Sequence, residues 1–419
     1  MERISIIIPT RERYDTLKYT LETCVMQDDS NLAIIVSDNF SQDATKEVIQ
    51  SFLDERIRYI NPGKRLSMSH HWEFALSHVG DGYVLFLGDD DGLLPNSLKN
   101  LRAIIQSTGM KAIAWAQASY SWPTHIHPDE SNQLFVPLSR KFEVRSTEKY
   151  LSDVAQFKVS YLELPGLYKG LVHHDVIEQA RSKEGLFFNS NQPDIYSAVA
   201  IANTISDYYY SYKPFTINGA SHHSGGTSYF SNSDNEQTKA SIKKFLKEDN
   251  IPFHPQLVLA SSMPIITAES FLQANDHLQH GTKILIDFRR LLLKAIETAV
   301  PMSNSNYDAV VFAVREIARL NGVDDQYIEK IIAQHRNVPA SEYKPIYGFD
   351  TFHNGLRLNC RELNISNVHE ASIACGCVLK LEAFNHCSIP AITKTVGTMF
   401  KSSPRLIYKV LRKIKYFLR

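Results

Sequence analysis

The sequence predicts an α/β fold, a mainly parallel sheet with flanking helices, followed by an α-helical accessory region. Over the first 120 or so residues, short β-branched and aromatic runs, several apolar on both faces, alternate strictly with amphipathic helical patterns. Such alternation implies right-handed βαβ crossovers and hence parallel strands. At 419 residues the chain is also long enough for more than one core.

The strands are read at "ISIII" (4–8), "LAIIVS" (32–37), "IRYI" (57–60), "YVLFLG" (83–88) and "KAIAWAQ" (111–117). Between them Leu17, Leu21, Cys24 and Val25 share a helical face, as do Val48, Ile49, Phe52 and Leu53. Met68, Trp72, Ala75, Leu76 and Val79 form the next, and Leu98, Leu101, Ile104 and Ile105 the last, with Pro95 at its opening. From about 121 to 230 prolines interrupt the pattern, leaving "NQPDIYSAVAIA" (191–202) as a helix and "FTINGASHHSGGTS" (215–228) as a strand running into a histidine pair. Then come helices at "KASIKKFLKE", "ITAESFLQA", "KILIDFRRLLLKAIETA", "YDAVVFAVREIARL" and "QYIEKIIAQH", the third with Ile284, Leu285, Phe288, Leu291, Leu292, Ala295 and Ile296 on one face. The expected division is 1–230, an α/β domain; 231–336, a helical accessory domain; 337–400, unassigned; and 401–419, a basic amphipathic tail.

Composition narrows the function. Forty-five basic residues balance 45 acidic ones, so no global field favours nucleic acid as a partner. Five scattered cysteines suit buried thiols in a reducing, cytoplasmic compartment rather than a disulfide framework or a metal site. "ISIII" before Pro9 is too short for a signal-peptide core, and no run approaches the ~18 apolar residues of a membrane span. The tail "KSSPRLIYKVLRKIKYFLR" carries seven basic residues and no acidic one, with an apolar helical face. It suits an interfacial helix on an anionic membrane surface, the plain alternative being a docked or disordered C-terminus.

In open parallel sheets ligands bind beyond the carboxyl ends of the strands, where strand order reverses. Here those loops are "PTRERYD", "SDNFSQD", "NPGKRLS" and "GDDDG". One aspartate after a strand would be read as a helix cap. Asp89, Asp90 and Asp91 exceed that need, since adjacent carboxylates raise one another's pKa. A divalent cation such as Mg²⁺ or Mn²⁺, itself completed by phosphate oxygens, relieves the repulsion.

"ISIIIPTRER", "IIVSDNFSQDAT" and "YVLFLGDDDGLLP", in this order and spacing, resemble the inverting family 2 glycosyltransferases of GT-A (Rossmann-like) fold, over roughly residues 1–230. The resemblance implies a nucleotide-sugar donor, a UDP-sugar, and a glycan or lipid-linked saccharide acceptor, as in bacterial surface polysaccharide synthesis. It matches the triplet to the family's D-x-D element, with Asp89 and Asp90 at the donor's ribose and diphosphate and Asp91, Asp89 and His223 on Mn²⁺ or Mg²⁺. Asp38 falls where a uracil N3–H is bound, and Thr10, Arg11 and Arg65 where nucleoside or phosphates are contacted. Asp194 matches the general base at a helix start, although Pro193 stands where a glutamate is common. His222 is the second choice to His223. A nicotinamide dehydrogenase is excluded because "PTRERYDT" has no glycine. The remaining alternatives are a sugar-nucleotide nucleotidyltransferase and a non-catalytic sugar-binding scaffold.

Overall fold

The computed structural model describes residues 2–224, 248, 251–300, 304–335, 347–350 and 353–381. The first half of the main sheet follows the alternation closely: β1 (Ile4–Thr10), α1 (Tyr14–Val25), β2 (Leu32–Asp38), α2 (Thr45–Gln50), β3 (Ile57–Ile60), α3 (Met68–Leu76) and β4 (Tyr83–Phe86). These four strands are parallel in the order β3-β2-β1-β4. The chain steps outward from β1 and then crosses back to β4, so strand order reverses between β1 and β4, at whose carboxyl ends a ligand crevice belongs. Alternation along β1 sends Ile4, Ile6 and Ile8 into one core layer and Ile7 into the other.

The second half departs from simple succession. After β5 (Gly92–Leu93) and α4 (Ser97–Thr108), the strand β6 (Ala112–Trp115) does not pair with β4. Between them runs β10 (Gly170–His173), antiparallel to both. β11 (Asp207–Ser211) lies parallel to β6, and β9 (Phe142–Ser146) closes the edge in antiparallel. "GLVH" is only four residues long and shows no periodicity, so the sequence carried no sign of it. α4 begins at Ser97, after left-handed Asn96, so Pro95 precedes the helix instead of opening it. Leu53 and Leu285, expected on apolar faces, are 100% and 87% exposed; α2 stops at Gln50 and the later helix starts only at Phe288.

A second sheet, in the order β13-β14-β8-β7-β12-β5, stands beside the first. It takes β7 (Ala118–Ser121), β8 (Gln133–Pro137), β12 (Thr216–Ala220), β13 (Gly348–Asp350) and β14 (Gly355–Asn359). The region that sequence left unassigned therefore returns to the N-terminal half: β14 pairs with β8, and a last helix packs its Val368, Ala371, Ala374 and Cys375 into that sheet's core. The cysteine pair in "ACGC" is buried as free thiols, desolvation pushing Cys377 up to about 12.

Helices α5 (Thr147–Ala155), α6 (His174–Gln179) and α7 (Pro193–Thr204) belong to the first core. α8 (Met263–His277), α9 (Phe288–Ala299), α10 (Asn304–Leu320) and α11 (Asp325–His335) follow, then α12 (Cys360–Leu363) and α13 (Val368–Leu381). α9 is capped by Asp287, whose carboxylate accepts the Arg290 N–H at 3.0 Å. α8 serves two cores: Phe271 and Ala274 pack with α7, while Ile265, Ala268 and Leu272 pack with α9 to α11. Of the helix expected at 239–248, residues 239–247 lie outside the described residues, as does the tail 401–419.

α8 buries Glu269 completely, with Ser190 donating to one oxygen and Gln273 Nε2 to the other at 2.8 Å. Desolvation pushes this carboxyl from about 4.5 up to about 7. Its folded-state value exceeds the unfolded one, so the native state holds the extra proton between them. That stabilisation is complete below about 4.5 and is lost as pH rises through about 7. The thermal midpoint should therefore fall between pH 5 and 8 more steeply in the wild type than in Glu269→Gln; equal slopes would contradict the assignment.

Candidate active site

Strand register builds the crevice. Thr10 and Asp38 are paired neighbours at the ends of β1 and β2, and Ile7 is level with Phe86. Three residues further along each chain, Thr10 Oγ1 donates to Asp89 Oδ2 at 2.8 Å. Arg13 donates to Asp89 Oδ1 at 2.9 Å, and its other terminal nitrogen donates to the His223 carbonyl. All three aspartates are buried.

Each carboxylate is neutralised differently. Asp89 has Arg13 and Thr10, although burial still pushes its carboxyl above the usual range. Asp90 Oδ2 accepts the Ser221 hydroxyl at 2.7 Å, the Ser221 N–H at 3.2 Å and the Ser224 hydroxyl. Asp91 accepts the Gly219 N–H on Oδ1 at 2.6 Å, and the Gly88 N–H at 3.1 Å and Tyr168 hydroxyl at 2.6 Å on Oδ2. Desolvation, with the charge of Asp90, raises Asp91 to about 6. The contact with β12 is so close that a Cβ on Gly219 would lie 1.7 Å from the Asp90 carbonyl oxygen.

The three carboxylates differ in how they are engaged. Asp91 faces backbone amides and a tyrosine, which makes it a fastening between β4, β12 and Tyr168. Asp90 Oδ1 receives no hydrogen bond from a described residue, and Asp90 holds the loop that bears the histidines. Both oxygens of Asp89 and of Asp91 are engaged, so Asp90 carries the open oxygen, whose chemistry fits a hard divalent cation. His223 does not converge on Asp89 and Asp91: its Nε2 lies 3.2 Å from Asp15 Oδ1. Asp15, His222 and His223 bring one ligand atom each within 4.8 Å of one another, the grouping of that kind among the described residues.

Around the rim, Asp38 Oδ2 accepts from Tyr59 at 2.8 Å and Asn61 at 3.1 Å, and Oδ1 accepts the Ser41 N–H at 3.0 Å. Arg65 pairs with Glu12 at 2.8 Å, and Arg11 pairs with Glu248. Asp194 stands in the first turn of α7, where the Tyr161 hydroxyl donates to its Oδ2 at 3.0 Å. Burial raises its carboxyl, against the pull of Tyr161 and Lys169.

Sequence reading missed Arg13, Tyr161, Tyr168, Lys169, Ser221 and Ser224. Arg13 sits two residues from Arg11 in a loop already singled out, and the two serines flank the histidine pair, so position alone pointed to them. Tyr168 and Lys169 lie in "LPGLYKG", an irregular piece in which Lys169 adopts a left-handed φ of 65°; nothing local marks it.

A parallel half joined to a mixed second half, with an acidic loop at the switch point, is the GT-A fold. Residues 5–158 match the family described as Glycosyl transferase family 2. The chain is 36% identical over 104 residues to a Campylobacter jejuni GalNAc(5)-diNAcBac-PP-undecaprenol beta-1,3-glucosyltransferase, covering 24% of this chain and 34% of that one. It is 31% identical over 100 residues to the Escherichia coli UDP-Glc:alpha-D-GlcNAc-diphosphoundecaprenol beta-1,3-glucosyltransferase WfaP, covering 24% and 40%. The matches thus span little more than a third of these curated relatives. Among solved structures, S. aureus TarS aligns with a TM-score of 0.42 at 12% identity, over 83% of this chain and 57% of that one.

Removing Arg13 leaves Asp89 buried beside Asp90 with its main counter-charge gone. Arg13→Met should cost ~3 kcal/mol or more in chemical denaturation. Adding Asp89→Asn should recover most of that loss; no recovery would show that the pair is not what Arg13 stabilises.

Proposed function

We propose that this chain is an inverting, divalent-cation-dependent glycosyltransferase that moves a sugar from UDP to a hydroxyl of a saccharide carried on undecaprenyl diphosphate. Glucose is the first donor sugar to test, because both curated relatives are named glucosyltransferases. The observation that carries the reading is the buried acidic loop at the β1/β4 switch point, level with Thr10 and Asp38, in a domain that also buries a carboxylate, Asp194, at the start of α7.

In this reading Asp38 and Thr10 line the nucleoside end of the site, and Asp89 and Asp90 the ribose and diphosphate. Arg11 and Arg65 stand at the rim as contacts for base or phosphate. Mn²⁺ or Mg²⁺ would be held at Asp90, with Asp89, Asp91 and His223 or His222 beside it, and would offset the charge gathering on the diphosphate. Asp194 takes the proton of the acceptor hydroxyl as that oxygen bonds to the anomeric carbon. The bond from that carbon to the diphosphate breaks, UDP leaves with the electron pair, and configuration inverts in one step.

The direct test is UDP release from a panel of nucleotide sugars with a polyprenyl-diphosphate saccharide and Mn²⁺ or Mg²⁺. UDP-glucose should turn over, chelation should abolish turnover, and Asp194→Asn should lower kcat by roughly 10²- to 10⁴-fold with donor binding retained. A donor that binds without any release of UDP would instead mark a non-catalytic scaffold.

No helix among the described residues is long and apolar enough to cross a membrane. We place the protein at the cytoplasmic membrane surface through its basic segment 401–419, where a lipid-linked acceptor would lie. Deleting that segment should move the protein from the membrane to the soluble fraction; unchanged partitioning would remove this role.

A further inference from the structure

A carboxylate that is to accept a proton must be ionised at working pH and must point one oxygen at the acceptor. Asp194 stands where both requirements are hard to meet, since burial favours its neutral form. Three elements converge on it. The Tyr161 hydroxyl donates to Oδ2 at 3.0 Å, fixing the direction of the carboxylate. The Ser197 hydroxyl accepts the Leu167 N–H at 3.2 Å and donates to the Asp194 carbonyl at 2.8 Å, tying the start of α7 to the segment before β10. That segment also carries Lys169, whose ammonium lies 4.6 Å from the centre of the Tyr168 ring and donates to Gln117 Oε1 at 3.3 Å.

Tyr161 is itself clamped. It begins a single 3₁₀ turn, Tyr161–Glu163, with the Ser160 hydroxyl accepting the Leu162 N–H. At the other end Glu163 pairs with Arg145 at 2.7 Å, and the Tyr208 hydroxyl donates to the Glu163 carbonyl. The Arg145 side chain is only 4% exposed, also pairs with Glu143, and lies 3.3 Å from the centre of the Tyr210 ring and 4.3 Å from that of Tyr150. A fixed guanidinium in an aromatic enclosure of this kind resists displacement. The turn bearing Tyr161 is therefore anchored to β9 and β11, on the far side of the site from the acidic triplet.

We propose that Tyr161 and Lys169 are positioning residues of the transfer reaction: the clamped Tyr161 hydroxyl orients the Asp194 carboxylate, and Lys169, on the segment that Ser197 ties to the start of α7, supplies positive charge to its surroundings. This rests on the reading of Asp194 as the general base. The charged and titratable groups around Asp194 are Tyr161 on the turn, and Tyr168 and Lys169 on the segment before β10. Asp90 and Asp91 lie beyond them, felt through Tyr168 and Lys169. Backbone N–H groups at the start of α7 also favour the ionised form. Lys169 is thus attracted by both acidic sites.

The sign of the effect follows. Removing the Tyr161 hydroxyl or the Lys169 charge lifts the Asp194 carboxyl further, so the base stays protonated to a higher pH. In Tyr161→Phe and Lys169→Met the acid limb of the kcat/KM profile should move up by about one pH unit, with activity recovering in alkali. Lys169→Arg, which keeps the charge, should leave the limb where it is in the wild type. Loss of packing alone would lower activity at every pH and leave the limb in place.

Titration of the ¹³C-labelled aspartate carboxyls in the full chain, with the Asp194 resonance assigned by its absence in Asp194→Asn, reads the same shift without turnover. An upward shift in both variants, reversed in Lys169→Arg, is the expected result. An Asp194 titration unchanged in both variants overturns the proposal. If instead the titration shifts but Asp194→Asn transfers sugar like the wild type, the electrostatic unit stands and the assignment of the base falls.

Discussion

Three adjacent carboxylates, buried together at the end of β4, are the constraint around which this protein is arranged. Left to themselves they would protonate or unfold the loop. Each is met by a different partner: Arg13 and Thr10 for Asp89, serine hydroxyls for Asp90, backbone amides and a tyrosine for Asp91. Those partners come from α1's approach, from β12 and its following loop, and from the segment before β10. Neutralising the triplet is thereby the same act as joining the parallel half of the fold to the mixed half.

The C-terminal region is drawn into this arrangement. β5 follows the triplet directly and pairs with β12, while the Ser372 hydroxyl on α13 donates to the Leu93 carbonyl at 2.6 Å. Around the main chain of the acidic loop, Thr20 donates to the Asp91 carbonyl at 2.7 Å and Trp122 to that of Asp90 at 3.1 Å. The loop is consequently rigid from below, and rigidity is what an electrostatic site requires if its groups are not to reorganise as charge develops.

The crevice separates two kinds of acidity. On the triplet side, carboxylates are compensated by Arg13, hydroxyls and backbone amides. On the α7 side, Asp194 has a single phenolic partner and helix-start amides. Placing carboxylates in contrasting surroundings is a general route to dividing binding from proton transfer within one fold. Lys169, at a left-handed backbone position, is attracted by the carboxylates of both sides.

The α/β class, the first four strands and helices, the site loops and the helix at Asp194 were all legible in sequence, because each depends on local periodicity or on motifs within a dozen residues. So was the burial of "ACGC" as thiols. The tertiary structure alone decided that β10 intervenes between β4 and β6, that residues 347–381 return to cover the second sheet, and which oxygen of which aspartate is open. It also brought Arg13, Tyr161 and Lys169 into the site and set His223 against Asp15. These outcomes rest on contacts between residues 30 to 280 positions apart, as Tyr161 with Asp194 and Ser372 with Leu93 illustrate. A side chain's partner at that distance is selected by the packing of whole layers, which no local pattern of residues records.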